Sequence, residues 1–190
     1  VASSKIKTEL DLLRESVPVI ASYGNYAASG GYWISANTDK IFSNATTLTG
    51  SIGVFSMIPD ISGALKNKLH VNVTTVNSNT HSDIYTLIKP LDAAETAYMQ
   101  ASVEDIYDRF TSIVAEGRDM TVEEVDAIAQ GRVWTGAEAE GIGLVDQIGT
   151  LTDALEYAAI SIDGVEGLSD VQIVEYPKPQ TSVEMILEMF

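Results

Sequence analysis

"NYAASGGYWIS", residues 25–35, sets one serine, Ser29, between two alanines and two glycines and follows it at once with Tyr32 and Trp33. Short apolar runs flank it: "VPVIAS" (17–22) before and "KIFSN" (40–44) after, both predicting strands. Residues Gly31 to Ala36 predict a short helix between them, so Ser29 falls at a strand-to-helix junction. Strand, helix, strand in repetition indicates an α/β fold with crossover connections.

The alternation continues outward. "SIGVF" (51–55) predicts a further strand after a connector, "ATTLTG". "PDISGALKNKL" (59–69) predicts a helix, with proline at its start and Ile61, Leu65 and Leu69 on one face. "VNVTTVN" (71–77) alternates, is β-branched and predicts a strand. Residues 78–91 read as a polar loop. Asp92 with Glu95 forms a capping box for a long helix, whose predicted apolar stripe is Ala94, Tyr98, Ala101, Ile106, Phe110, Ile113 and Val114. Thr121 with Glu124, and Thr135 with Glu138, open two more helices in the same way. "GIGLVDQIG" (141–149) predicts a short strand between turns, and a helix follows from about Thr150 to Ile160. "VQIVEYPKP" (171–179) predicts a late strand and "SVEMILEMF" (182–190) a terminal helix. At the other end, "VASSKIKTELDLLRES" (1–16) reads as a helix already under way, with Ile6, Leu10 and Leu13 at helical spacing.

Composition bounds the function. The 190 residues suit one domain with a sizeable core, and hydrophobic residues at 45% against 20% charged are an ordinary globular balance. No apolar run approaches the roughly 18 residues that span a bilayer. The net charge of −16 repels phosphates, which sets nucleic acid partners aside and otherwise describes a solvated acidic face. There is no cysteine, which excludes thiol catalysis and cysteine metal sites. His70 and His81 are the two histidines.

At Ser29 two interpretations stand side by side. Serine is a common helix N-cap, and small neighbours often mark close packing. Alternatively, the free N–H groups of a helix start favour negative charge, Gly30 can aim its N–H at a developing oxyanion, and the small neighbours admit a substrate backbone. The same holds further on. Gly50 and Gly53 allow an extended peptide to lie alongside "TLTGSIGVF", or Thr49 and Ser51 simply cap a strand entrance.

Residues 26–55, "YAASGGYWISANTDKIFSNATTLTGSIGVF", closely resemble the active-site region of signal peptide peptidase A, a family of membrane-associated serine proteases in the Clp/crotonase superfamily. The resemblance continues more loosely through "QGRVWTGAEAEGIGLVDQIG" (130–149). It implies an α/β fold of stacked ββα units in one domain over residues 1–190, with a C-terminal strand and helix at 170–190. It implies Ser29 as the nucleophile of a Ser/Lys dyad, Gly30 as an oxyanion donor, and Ser51 as a candidate to orient the lysine. Gly50, Ser51 and Gly53 would line the groove. Neither metal nor cofactor is implied. The substrates would be remnant signal peptides. The location implied is the inner membrane, with the catalytic part outside the cytoplasm and in a homo-oligomer.

One element of the pattern breaks. Short members carry the lysine in the loop after the strand matching "VNVTTVN", and the corresponding position here falls near His81 or Ser82. Lys89 comes too late and precedes a proline. His81 could serve as a base, or be a plain exposed loop residue. Long members hold two tandem copies of the fold, with serine in the C-terminal copy and lysine in the N-terminal one. The expectation is therefore a C-terminal catalytic half, inactive alone, whose base comes from an N-terminal half and whose second oxyanion donor, by the same resemblance, is a Gly-Gly turn just before the opening helix. Two other classes remain: a crotonase-like acyl-CoA enzyme, which would not need Ser29, and a non-catalytic assembly domain of the same fold.

Overall fold

The computed structural model describes residues 2–177. Two small sheets carry the fold, in the orders β1-β3-β6 and β2-β4-β5. The first comprises β1 (Ile20–Tyr23), β3 (Lys40–Ser43) and β6 (Gln147–Ile148); the second comprises β2 (Tyr26–Ala28), β4 (Leu48–Gly50) and β5 (Val133–Thr135). The pairs β1/β3, β2/β4 and β3/β6 are parallel, and β4/β5 is antiparallel. Each consecutive strand pair thus sends its first strand to one sheet and its second to the other, as stacked ββα units require.

The helices are α1 (Ala2–Arg14), α2 (Gly30–Ser35), α3 (Ser62–Asn67), α4 (Ala93–Arg118), α5 (Val122–Ile128), α6 (Gly136–Gly141) and α7 (Leu151–Ile160). The three predicted capping boxes form, and Thr150 with Asp153 makes a fourth at α7. Each satisfies two N–H groups that a helix start leaves without partners. Among the described residues, no helix is long and apolar enough to cross a membrane.

Helix α2 is driven into the centre by its aromatic pair. Tyr32 is fully buried and donates its hydroxyl to the Leu144 carbonyl at 2.8 Å. Trp33 packs on Phe110 of α4 with ring centroids 4.8 Å apart. Ile41, Ile52, Val114 and Val125 complete this core. A partly buried ion pair ties its layers together: Arg118 at the end of α4 bonds Asp146 at 2.6 Å, and Asp146 accepts the Ile41 N–H of β3 at 2.7 Å. Burial opposes ionisation of Asp146, but Arg118 and the Ile41 N–H outweigh it and hold its carboxyl below the usual range.

Several expectations need correcting. Residues 71–77 form no strand, and all are exposed. Alternation there has no partner strand to pair with among the described residues. The strand expected at 51–55 lies earlier, as β4 inside the supposed connector, because Gly50 (φ 73°) and Ser51 (φ 47°) turn the chain out of the ladder. The described part of 171–179 holds no strand, and the terminal helix at 182–190 lies outside the described residues. Of the α4 stripe, Phe110 and Val114 are buried, whereas Ala94, Tyr98 and Ala101 are exposed where the helix runs past the core. Helix α1 forms, yet Ile6 and Leu13 remain about half exposed, at 48% each.

Candidate active site

Ser29 links β2 to α2 with φ 52° and ψ −116°. A side chain in that region costs of order 1–3 kcal/mol, so it persists only where neighbours hold it. They do so from both sides. The Ser29 N–H donates to the Gly50 carbonyl at 2.9 Å, and its own carbonyl accepts the Trp33 N–H at 2.8 Å, which is the first bond of α2. The hydroxyl makes no capping bond, and the residue is exposed. The four capping-box helices start instead on residues of ordinary extended backbone whose side chains accept an N–H. The N-cap interpretation of the Ser29 hydroxyl therefore does not describe what it does.

Gly30 and Gly31 precede the first helical bond, so their N–H groups have no acceptor within α2. A cavity of about 280 Å³ opens beside them, lined by Ser29, Gly30, Trp33, Val54, Phe55 and Phe110 among others. A second, of about 510 Å³, lies on the other side of Ser29 and includes Ser51, Tyr107, Asp108 and Gln130. Both share Ser29, Gly53, Val54 and Phe55, so one groove crosses the serine.

Of the three residues expected to line that groove, Ser51 lines the larger cavity and Gly53 both, whereas Gly50 lines neither and instead holds the Ser29 N–H through its carbonyl. Ser51 donates its N–H to the Arg132 carbonyl at 2.8 Å, and Ile52 accepts from the Gly131 N–H at 2.9 Å. Gly53 is needed for this closeness, since a Cβ there would stand 2.6 Å from the Gly131 Cα. The two hydroxyls of the segment differ. Thr49 is buried and donates to the Ala27 carbonyl at 2.7 Å, a structural role. Ser51 lines the larger cavity with Ser29. Sequence inspection did not single out Gln130, Gly131 or Tyr107, which come from distant segments; the Gln-Gly pair was visible only as the start of the looser resemblance over 130–149.

The nearby bases are elsewhere. Lys89 binds Glu95 at 2.8 Å and Asp83 at 2.9 Å, and these carboxylates push its pKa above the ordinary lysine value. An ammonium so held is a poor proton acceptor. His81 lies 3.2 Å from the same Glu95 oxygen, and neither residue lines the groove. His70 is exposed and turns the chain beyond α3 at φ 53°. Glu95 is itself buried, and Lys89, the Asp92 N–H and His81 hold its carboxyl down to about 2. His81, Asp92 and Glu95 bring ligand atoms within 4.8 Å of one another, but the Lys89 ammonium already occupies the shared oxygen and would repel a metal cation.

A hydroxyl exposed in a groove, beside unpaired N–H groups and held in strained backbone, has the arrangement that acyl transfer demands of a nucleophile. Comparison with known proteins gives the family. The sequence profile of peptidase family S49 matches residues 11–163. Protease 4 of Salmonella typhi is 42% identical over 159 residues, covering 83% of this chain and 25% of that protein. A candidate protease of Synechocystis sp. is 37% identical over 179 residues, 94% of this chain and 64% of its own length. A candidate signal peptide peptidase SppA of Enterococcus faecium is 38% identical over 180 residues, 94% of this chain and 51% of its own. The chain thus spans between a quarter and just under two thirds of these relatives.

Proposed function

We propose that this chain, which belongs to peptidase family S49, carries the nucleophile half of a Ser/Lys peptidase, with Ser29 as the attacking residue. The observation that carries this reading is the strained, exposed Ser29 at the crossing of two cavities, with the free Gly30 N–H beside it. In the first step a neutral lysine takes the Ser29 hydroxyl proton as the oxygen bonds to the scissile carbonyl carbon. The carbonyl oxygen becomes an oxyanion that Gly30 N–H stabilises. The C–N bond then breaks, the lysine passes its proton to the leaving amine, and an acyl-Ser29 remains. Water, deprotonated by the same lysine, hydrolyses it.

The lysine comes from another copy of the fold, in an N-terminal half of the same protein or in a neighbouring chain of a homo-oligomer. Two points support this: Lys89 is committed to Glu95 and Asp83, and among the described residues no lysine lines either cavity that contains Ser29. Ser51, in the larger cavity, would orient it. Remnant signal peptides are the proposed substrates, met at the inner membrane on its non-cytoplasmic side. The 190 residues alone would be inactive. The test is to treat the full-length protein and its Ser29→Ala variant with a fluorophosphonate and a fluorogenic peptide. Labelling at Ser29 and cleavage lost in the variant are expected; labelling elsewhere, or full cleavage by the variant, refutes the assignment.

A further inference from the structure

Resting on that assignment of Ser29, we propose that the Ser3 hydroxyl is a second side-chain element of the active site, donating a hydrogen bond to the oxyanion beside Gly30. The N-terminal turn of α1 lies directly over Gly30: a Cβ built on Gly30 would stand 2.7 Å from Ser3 Oγ. Ser3 and Ser4 line the 280 Å³ cavity together with Ser29 and Gly30. Ser3 is half-buried, and its hydroxyl has no hydrogen-bond partner among the described residues; the nearest side-chain bond on that helix runs from Thr8 to the Ser4 carbonyl.

The placement is held from the far end. Arg14, at the last turn of α1, binds Asp39 at 2.9 Å, and Asp39 also accepts the Val19 N–H at 2.7 Å. Helix α1 is therefore fixed to the start of β1, while its first turn overhangs the start of α2. A serine hydroxyl rotates freely about its C–O bond, so it can aim at an oxygen that moves as the carbonyl becomes tetrahedral. Its bond to a full negative charge is stronger than to a neutral carbonyl, which favours the transition state over bound substrate. The glycine at position 30 follows from the same closeness, since any side chain there would displace Ser3.

The experiment uses the full-length protein and its Ser3→Ala and Ser3→Thr variants. Loss of one oxyanion donor lowers kcat by roughly 10²–10³-fold, and that fall is expected for Ser3→Ala with KM nearly unchanged. Ser3→Thr keeps the hydroxyl and should recover most of the rate. A peptide boronate that forms a tetrahedral adduct on Ser29 should lose affinity in step with kcat, while an uncleaved product peptide should bind as before. A merely structural serine would not separate those two ligands. The proposal is overturned if Ser3→Ala keeps its boronate affinity, or if Ser3→Thr is as slow as Ser3→Ala while folded by circular dichroism. If wild type itself fails to react with a fluorophosphonate at Ser29, the underlying assignment falls first and takes this one with it.

Discussion

Replacing Trp33 tests whether the helix that presents Ser29 is anchored as described. Truncating a buried Trp to Ala costs about 3–5 kcal/mol in a well-packed core. Trp33 is 8% exposed and stacks obliquely on Phe110, so most of that loss applies. Two features reduce it. One edge of the ring borders open cavities, where fewer contacts exist to lose. Its indole N–H is buried without an acceptor, and removing such an orphan returns about 1–3 kcal/mol. The net expectation for Trp33→Ala is about 2–3 kcal/mol. Trp33→Phe keeps a ring on Phe110 and deletes the orphan donor, so it should fall within about 1 kcal/mol of wild type. Urea melts of the full-length variants, followed by far-ultraviolet circular dichroism with the slope compared between variants, measure both. An Ala variant costing under about 1 kcal/mol, or a Phe variant as costly as Ala, refutes the anchoring role.

Lys89→Ala and His81→Ala should leave peptide cleavage by the full-length protein within about threefold of wild type, since both lie outside the groove; a loss approaching the roughly 10²–10⁴-fold worth of a general base in either would identify the base. Glu95 has a folded-state pKa of about 2, below the unfolded value of about 4.3, so its stabilising effect is complete above that value and is lost as pH falls toward 2. The urea midpoint should therefore drop more steeply between pH 5 and pH 2, a window set by those values, in wild type than in Glu95→Gln, and equal slopes would contradict the clamp. Gly53→Ala should cost about 1–3 kcal/mol of stability and lower kcat/KM as well, because its Cβ meets Gly131 backbone atoms at 2.6 Å; a melt and peptide kinetics at wild-type values would disprove the contact.

Local chemistry that is complete within a few residues was legible in the sequence. Asp92 with Glu95, Thr121 with Glu124 and Thr135 with Glu138 announce their helices because donor and acceptor sit three positions apart. The Ser29 junction was legible for the same reason. Strands were not, where their definition depends on partners. Residues 71–77 have the side chains of a strand and no neighbour, whereas β2 and β5, at three residues each, have neighbours and too little length to show a period. The groove wall at Gln130 and Gly131 lies about a hundred residues from Ser29 and is brought there by the β4/β5 pairing, which no spacing announces.

Strain at the groove is shared rather than confined to the serine. Ser29 (φ 52°), Gly50 (φ 73°), Ser51 (φ 47°), Gln130 (φ 58°) and Gly131 (φ 76°) all have left-handed backbone, and all but Gly50 line the larger cavity. Each of the three non-glycine members costs on the order of 1–3 kcal/mol, which loose loops would shed by relaxing. Here they cannot relax independently. The Ser29 N–H is held by the Gly50 carbonyl, the Ser51 N–H by the Arg132 carbonyl, and the Gly131 N–H by the Ile52 carbonyl. Each bond joins one strained turn to the segment carrying another, so releasing any one of them breaks a contact on its neighbour. The strain on Ser29 is thereby transferred to β4 and β5, and the hydroxyl stays exposed at the point where the two cavities meet.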